Sequence, residues 1–331
     1  MEIEIIRDAD SLQSLVPEWD RLWKRCPSAT PFQSPAWQLS WWKYFGQRGT
    51  LLASAIREKG SLKALWPLSV DGSAEARTLI MNGMGISDYL DVLIAPDHKN
   101  LGAELMRASL MELWKEWDLC DFQDLRPESP LLAWAVPEGM IFEVSPLQAC
   151  PVVALPASYD RLLTIMSSHH RRSLRRAHRL LSGAGEYRIE KADHDTLGES
   201  LDALFRLHRA RWIEQSLPGV LNEPTIQNFH RDVAACMLGA GCLRLYRLVL
   251  NDRIISVLYL FTNATRSFCY LGGFDPASER FSPGVILIQH AIQEAITEGK
   301  QDFDFLRGSE AYKYLWGAQD RWNYRMVIKK K

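Results

Sequence analysis

DFDFLRGSEAYKYLW, Asp302 to Trp316, has a fainter echo upstream: DFQDLR at Asp121 to Arg126 matches DFDFLR at Asp302 to Arg307 in four of six positions. Each copy follows an apolar, helix-like segment, Asn100 to Trp117 in one case and Ser282 to Glu298 in the other. Each of those follows a strand-like run ending in glycines, TLIMNGMG at Thr78 to Gly85 and SFCYLGGF at Ser267 to Phe274. Further upstream, both halves carry two apolar runs around a polar turn: LLASAI-REKG-SLKALWPL at Leu51 to Leu68, and LRLYRLVL-NDR-IISVLYLF at Leu243 to Phe261. Six letters alone would be chance. A shared order of hairpin, glycine end, helix and DF strand, offset by roughly 180 to 190 residues, points to a duplicated unit. The predicted fold is α/β (α+β), two units in tandem, each a mixed central sheet flanked by helices.

The bulk numbers agree with that size. A chain of 331 residues suits two domains of about 150 each, with ample core. Hydrophobic content of 47% with 24% charged residues is globular in character. The formal net charge of −1 gives no global field to recruit nucleic acid or a membrane. Cysteines 26, 120, 150, 236, 242 and 269 form no CxxC pair, which reads as reduced core thiols, with neither disulfides nor a metal expected. The opening MEIEIIRDAD is acidic and strand-like, unlike a signal peptide. Apolar runs such as IISVLYLF fall far short of the ~20 residues that cross a bilayer. A cytoplasmic protein with no membrane insertion is expected, and nothing in the sequence fixes an oligomeric state.

Six of the 16 prolines fall between Pro127 and Pro156. Proline lacks a backbone donor and restricts the residue before it, so this is loop or edge strand. The domain junction is placed there, giving residues 1–150 and 151–331. Next, Tyr159 to Leu181 reads as a helix whose HHRRSLRRAHR stretch carries Arg171, Arg172, Arg175, Arg176 and Arg179 without one acid. Such a run is a solvated face, a cover for acidic residues of the other half, or a bidentate phosphate holder. Helices are also predicted over Leu201 to Gln215 and Glu223 to Leu238. Ser282 caps another that starts at Pro283 and stops at Gly299. DFDFL is a strand, because Phe303 and Phe305 alternate with Asp302 and Asp304. Nine of the 12 tryptophans precede residue 135, as core aromatics or as a sugar-stacking surface.

Several constellations can carry chemistry. In LGGFDPASERFSPGVILIQHAI, Leu271 to Ile292, a glycine-ended strand leads into a capped helix whose free N–H groups suit a phosphate. Gly272, Gly273 and Gly284 allow close backbone approach. It is neither a Walker loop nor a GxGxxG fingerprint, and an ordinary strand–loop–helix connection has the same letters. In RGSEAYKYLW, Gly308 permits a tight exit, Glu310 and Lys313 can pair at i,i+3, and Tyr312 shares a face with Trp316. Tyr312 is a candidate general acid or simply packs. His208, Arg211 and Trp212 of LHRARW share a helix face with Leu204 and Phe205, as catalytic or as structural groups. His169 and His170 are adjacent and no HExxH occurs, so no metal spacing is present. In GISDYLDVLI, Gly85 to Ile94, the cluster Asp88, Tyr89 and Asp91 either orients a hydroxyl- or amine-bearing acceptor or caps a turn.

Taken together, FQSPAWQLSWWKYFG (Phe32 to Gly46), SDYLD (Ser87 to Asp91), LHRARW, FSPG (Phe281 to Gly284) and FDFLRGSEAYKYLW resemble the CelD-type branch of the GNAT acyltransferase superfamily. Those proteins are named for cellulose or exopolysaccharide biosynthesis and are related to FemAB-type aminoacyl transferases. The resemblance implies two GNAT-like domains and N- or O-acyl transfer from an acyl thioester, usually acetyl-CoA, as co-substrate. It implies that the donor pyrophosphate lies at Gly272, Gly273, Arg280, Ser282 and Gly284. The usual loop [QR]xxGx[GA] is not met, since Pro283 stands where its first glycine would be. It further implies that Tyr312, ahead of Tyr314, protonates the leaving thiolate, with His208, Asp304 or Glu310 as base. Asp88, Tyr89, Asp91, Arg211, Trp212 and Lys313 would bind the acceptor, a small-molecule or glycan precursor of the cell envelope. An aminoacyl-tRNA donor of the FemAB kind and a non-catalytic module in polysaccharide assembly are the alternatives.

Overall fold

The structure is a computed structural model, and the residues described are 1–73, 76–98, 100–133, 139–214, 219 and 221–331, without the side chains of residues 48, 73 and 211–214. In chain order these form β1 (Glu2–Ile6), α1 (Ala9–Ser14), α2 (Val16–Arg25), α3 (Pro35–Phe45), β2 (Thr50–Leu51), β3 (Ala53–Glu58), β4 (Ser61–Trp66), β5 (Leu68–Ser73) and β6 (Ala76–Met81). There follow β7 (Leu93–Ile94), α4 (Leu101–Glu112), β8 (Leu119–Leu125), β9 (Met140–Ala154), α5 (Tyr159–Ile165), α6 (Ser168–Ala184), β10 (Tyr187–Lys191), α7 (Leu197–Glu214) and α8 (Pro224–Gly239). The last elements are β11 (Leu243–Leu250), β12 (Arg253–Thr262), β13 (Arg266–Phe274), α9 (Pro283–Thr297), β14 (Asp302–Asp304), α10 (Ala311–Tyr314) and β15 (Gln319–Lys330). Two compact units result, Met1–Ala149 with Arg321–Lys331, and Cys150–Asp320. Each holds a mixed sheet flanked by helices, the α/β (α+β) architecture expected, and the first holds a second sheet besides.

In the first unit β5 pairs antiparallel with β6, β6 runs parallel to β8, and β15 pairs antiparallel with β8. The parallel pair needs a crossover, and α4 supplies it. The hairpin expected at Leu51 to Leu68 forms as β3 and β4, but it lies in a separate four-stranded sheet ordered β1-β3-β4-β7. The strand that leads into the parallel pair is instead β5, which begins at Leu68 where the expected hairpin ends. Pro67 is the physical reason: lacking an N–H, it interrupts the ladder between β4 and β5 and lets the chain change sheets. Trp66, Trp117, Phe122, Leu105 and Met326 fill this unit's core, with the Trp66 and Phe122 rings 5.0 Å apart. Trp19 and Trp37 are also fully buried.

The second unit orders its strands β10-β11-β12-β13-β14, followed by the end of β9. β13 and β14 are parallel with α9 between them, and Val152–Ala154 of β9 pairs antiparallel with β14. Helix α9 buries Ile286, Leu287, Ile288, Ala291, Ile292 and Ala295. At about 1.5–3 kcal/mol for each large side chain, packing holds it far more than propensity does. It ends at Gly299, φ 73°, where Lys300 N–H bonds back to Ala295 O at 2.9 Å, a Schellman closure that needs the left-handed residue. The single basic helix expected over Tyr159 to Leu181 is two. Met166 is extended at ψ 145°, and the Ser167 hydroxyl accepts His170 N–H at 3.1 Å, starting α6 afresh. Among the described residues no helix is long and apolar enough to cross a membrane.

Candidate functional site

The second unit's sheet opens where its parallel strands part. β13 and β14 pair from Arg266↔Asp302 to Phe268↔Asp304 and no further, while β13 continues to Phe274. β14 turns away because Phe305 N–H bonds to Pro151 O at 2.9 Å and Leu306 takes φ 57°. On the opposite side the register of β13 against β12 passes from Tyr259↔Leu271 to Leu260↔Cys269, leaving Tyr270 as a bulge. Bulges of this kind end pairing and re-aim side chains. Tyr270 joins an aromatic cluster, with ring centroids 5.6 Å from His230, 5.9 Å from Tyr259 and 5.8 Å from Phe261. Burial, and secondarily the nearby His208, push His230 down to about 3, so its imidazole is neutral at physiological pH.

Gly272 and Gly273 lie within β13, opposite Leu258 and Val257. The close approach at Gly273 is made by α7: a Cβ there would stand 2.5 Å from His208 N and 2.8 Å from Leu207 C. The missing side chain seats the helix that carries His208, which is itself 3% exposed. Gly273→Ala should therefore destabilise the second unit by about 2–3 kcal/mol, since backbone cannot retreat as a side chain can. A urea midpoint unchanged from the parent would refute that packing role.

The connection into α9 differs from a simple capped start. Ser282 occupies the N-cap position, but in the left-handed region at φ 50°, ψ 50°, and its hydroxyl makes no capping bond. A capping side chain normally projects from an extended residue, so the cap expected of Ser282 is absent. Val285 and Ile286 N–H both bond to Ser282 O, at 3.0 and 3.2 Å. Pro283 has no N–H, which leaves Gly284 to offer its amide at the helix start, with no acid in the first turn. A Cβ on Gly284 would meet the Phe274 ring at an ordinary 3.7 Å. Arg280 is exposed, with its guanidinium 4.6 Å from the Phe281 ring centroid.

Past β14, the RGSEAYKYLW segment is tied down by one lysine. Lys313 is 3% exposed, and its Nζ donates to Arg307 O at 2.7 Å, Gly308 O at 2.9 Å and Leu306 O at 3.3 Å. The expected i,i+3 partner Glu310 stands 2.9 Å away. Asp304 Oδ1 accepts Leu306 N–H at 2.8 Å, which stabilises the left-handed turn. Tyr312 packs on the core edge, its ring 6.1 Å from Phe305. Tyr314 instead donates to Asp320 at 2.7 Å. Burial pushes the Cys269 thiol up to about 12, with Lys313, Asp304 and Glu310 acting on it electrostatically. Cys269, the first residue of β13 beyond the parallel ladder, is a buried, neutral thiol of the second unit's core. The segment brings Asp304, Glu310, Tyr312 and Lys313 together.

Asp88, Tyr89 and Asp91 lie in the first unit, all buried. Asp91 Oδ1 accepts Val92 N–H at 2.8 Å and Ser129 Oγ–H at 2.9 Å. Its burial outweighs the nearby Arg126 and raises its pKa to about 6. Asp88 O accepts Asn323 Nδ2–H at 2.8 Å, and the Arg126 guanidinium lies 5.7 Å from the Tyr89 ring centroid. The trio holds the β6–β7 connection against the end of β8, where Leu90 N–H bonds to Asp124 O at 3.0 Å. Sequence reasoning missed Arg126, Ser129 and Asn323 here, and His230, Tyr259 and Tyr270 in the second unit. The Ser129–Asp91 and Asn323–Asp88 bonds span 38 and 235 residues, so no local spacing signals them. Arg211 and Trp212 belong to α7 by their backbone, and their side chains lie outside the described residues. Among the described residues no group of His, Cys, Asp and Glu is arranged to hold a metal ion.

Residues 168–314, from the start of α6 to the end of α10, match the family described as acetyltransferase (GNAT) domain. No curated protein matches the chain. Among solved structures it is similar to FemX, over 98% of this chain and 97% of that one, with TM-score 0.68 and 13% identity. It is similar to a conserved protein of unknown function from Bacteroides thetaiotaomicron, over 99% and 100%, with TM-score 0.64 and 13% identity. A tandem GNAT protein from the clavulanic acid biosynthesis pathway aligns over 98% of each chain, with TM-score 0.51 and 13% identity. At these identities the likeness is one of fold, and the fold is that of tandem GNAT proteins.

Proposed function

We propose that the second unit transfers an acyl group, acetyl or longer, from CoA to an amine or hydroxyl of a sugar or cell-envelope precursor. The observation that carries this reading is the parting of β13 from β14 beside the Tyr270 bulge. An edge released there can hold an extended thioester arm by strand-type hydrogen bonds, and it leads to the start of α9. Gly284 N–H and Arg280 are the groups proposed for the pyrophosphate. The acceptor nitrogen or oxygen attacks the thioester carbonyl carbon, the carbon–sulfur bond breaks, and Tyr312 gives its proton to the leaving thiolate. His208 is proposed as base, since α7 seats it against Gly273 of β13 beside the opened edge. The resemblance to the CelD-type branch supports an envelope or exopolysaccharide acceptor, with Arg211 and Trp212 of the same unit proposed for its recognition; Asp88, Tyr89 and Asp91 belong to the other unit, and Lys313 is spent on the turn it holds.

Calorimetric titration with acetyl-CoA and longer acyl-CoAs should give saturable binding, and none at millimolar concentration would overturn the reading. Tyr312→Phe should lower kcat by about 10²- to 10³-fold at unchanged donor affinity, read as thiol release. Unchanged kcat would remove Tyr312 from the chemistry, and absence of turnover in the parent with any acceptor would favour the non-catalytic module. Pro283, which leaves the start of α9 one amide short, favours a second reading with an aminoacyl-tRNA donor. Transfer from charged tRNA, with none from acyl-CoA, would establish it.

A further inference from the structure

The arginine helix lies outside the acyl-transfer reading. Helix α6, SHHRRSLRRAHRLLSGA, contains no acidic residue and buries His170, Leu174, Ala177 and Leu181. Arg171 is occupied, donating from Nη1 to Leu163 O at 2.6 Å and Met166 O at 2.8 Å, where it closes the end of α5. Arg172, Arg175, Arg176 and Arg179 differ. Their spacing of i, i+3, i+4 and i+7 sets them on one stripe, opposite the buried face. All four are exposed, and among the described residues none of them takes part in an ion pair. The stripe places four guanidinium groups within about 10 Å of helix. That is about one Debye length at moderate salt, so the net charge of the whole chain does not cancel the local field.

Exposed apolar side chains stand on α6 itself and on two segments that meet its first turn, where the His170 and Trp316 ring centroids lie 4.8 Å apart. Ile165, at the end of α5, is 62% exposed, Leu315 is 46% exposed and Leu180 of α6 is 38% exposed. Gly317, two residues past Leu315, lies against Ile165, since a Cβ on it would lie 3.4 Å from Ile165 Cγ2. α6 carries no Phe, Tyr or Trp; its groups able to stack on an unpaired base are the exposed His169 and the arginines themselves. Unneutralised arginines bordered by exposed aliphatic side chains complement an anionic, partly apolar surface better than they complement RNA.

We propose that this face docks the protein on an anionic phospholipid bilayer. The four arginines meet headgroup phosphates, and Ile165 and Leu315 reach the acyl boundary. The contact is peripheral, since the apolar face of α6 is used up in the core. The proposal does not rest on acyl transfer.

Co-sedimentation of the full chain with phosphatidylcholine vesicles, with and without phosphatidylglycerol, tests it. Each arginine near such a surface contributes roughly fivefold in partition. The anionic vesicles should bind at least about 100-fold more strongly at low salt, and high salt should remove the difference. Replacing Arg172, Arg175, Arg176 and Arg179 together by Gln should bring binding to the neutral-vesicle level, with far-UV circular dichroism reporting the fold. Replacing the same four by Lys should retain most of it, so a fold lost in the Gln variant does not stop the test. Ile165→Ser with Leu315→Ser should weaken binding several-fold. Equal binding to both vesicle types, loss of binding in the Lys variant, saturation by free inorganic phosphate, or tight binding to tRNA with none to vesicles would each overturn the proposal.

Discussion

Lys313→Met should destabilise the second unit by about 3–5 kcal/mol. The side chain is of similar length, so the effect isolates the ammonium rather than the volume. That ammonium reaches three main-chain carbonyls and the Glu310 carboxylate. Each buried carbonyl left without a donor costs about 1–3 kcal/mol. The turn it holds is itself costly at Leu306, φ 57°, while Gly308 takes φ 102° without that cost. A non-glycine residue held in the left-handed region costs on the order of 1 kcal/mol or more. Glu310→Gln should do little by comparison, because its side chain is 56% exposed and water can take the place of a charge partner. Urea unfolding of the two variants separates the roles. A Lys313→Met loss below about 1 kcal/mol would mean that the loop is held by something other than the lysine. The prediction also bears on Tyr312, one residue before the anchor. A turn that loosens there moves the proposed acid away from any thiolate, so turnover should fall with stability in Lys313→Met but without it in Tyr312→Phe.

The order of elements around the two DF strands could be read from the chain because a parallel pair with its crossover helix has a fixed grammar. A glycine-ended strand, a helix with proline at its first turn and glycine at its end, and an alternating strand can follow in few other ways. The i,i+3 pair of Glu310 and Lys313 was readable for the same reason: local spacing fixed it. The burial of Lys313 was not readable, since its main partners are carbonyls of the turn before it, and turns of that kind have no side-chain code. The echo also misleads in detail. Matched letter for letter, Asp124 corresponds to Phe305, yet the left-handed residues are Asp124 and Leu306, one position apart. β8 accordingly runs seven residues and β14 three. Pro67 was visible as a letter, but its effect of sending β4 and β5 to different sheets depends on pairings with β7 and β6. The Asn323–Asp88 bond depends on β15 pairing with β8, a contact across most of the sequence. Side chains that matter through long-range contacts, such as Asn323 and His230, carry no local pattern to find them by.

Acid should unfold the second unit earlier than its carboxylates alone would cause, and His230 is the main reason. Its imidazole is 1% exposed, lies among the rings of Phe229, Tyr259 and Tyr270, and has its pKa lowered from 6.5 to about 3 by burial and by His208. In the unfolded chain it takes a proton near pH 6.5, whereas in the folded chain it stays neutral until about pH 3. Stability is therefore fully present above pH 6.5 and is lost as pH falls through that window, by up to about 5 kcal/mol at its lower end. His170 and His290 are shifted in the same direction by burial and add to the slope. Most carboxylates bind protons below about pH 4.5, and Asp91, raised to about 6, belongs to the first unit, so between pH 6.5 and pH 4.5 the second unit's slope isolates its histidines. There the parent should lose about 2–3 kcal/mol to His230, measured as a falling urea midpoint. His230→Phe keeps a ring against Tyr259 and Tyr270 and removes the proton site, so its midpoint should hold nearly level over that interval apart from the smaller contributions of His170 and His290. Parallel slopes in parent and variant would show that His230 is protonated in the folded state near its ordinary pH. The aromatic cluster behind the Tyr270 bulge would then admit water, and the bulge would not be the dry support that the opened edge of β13 requires.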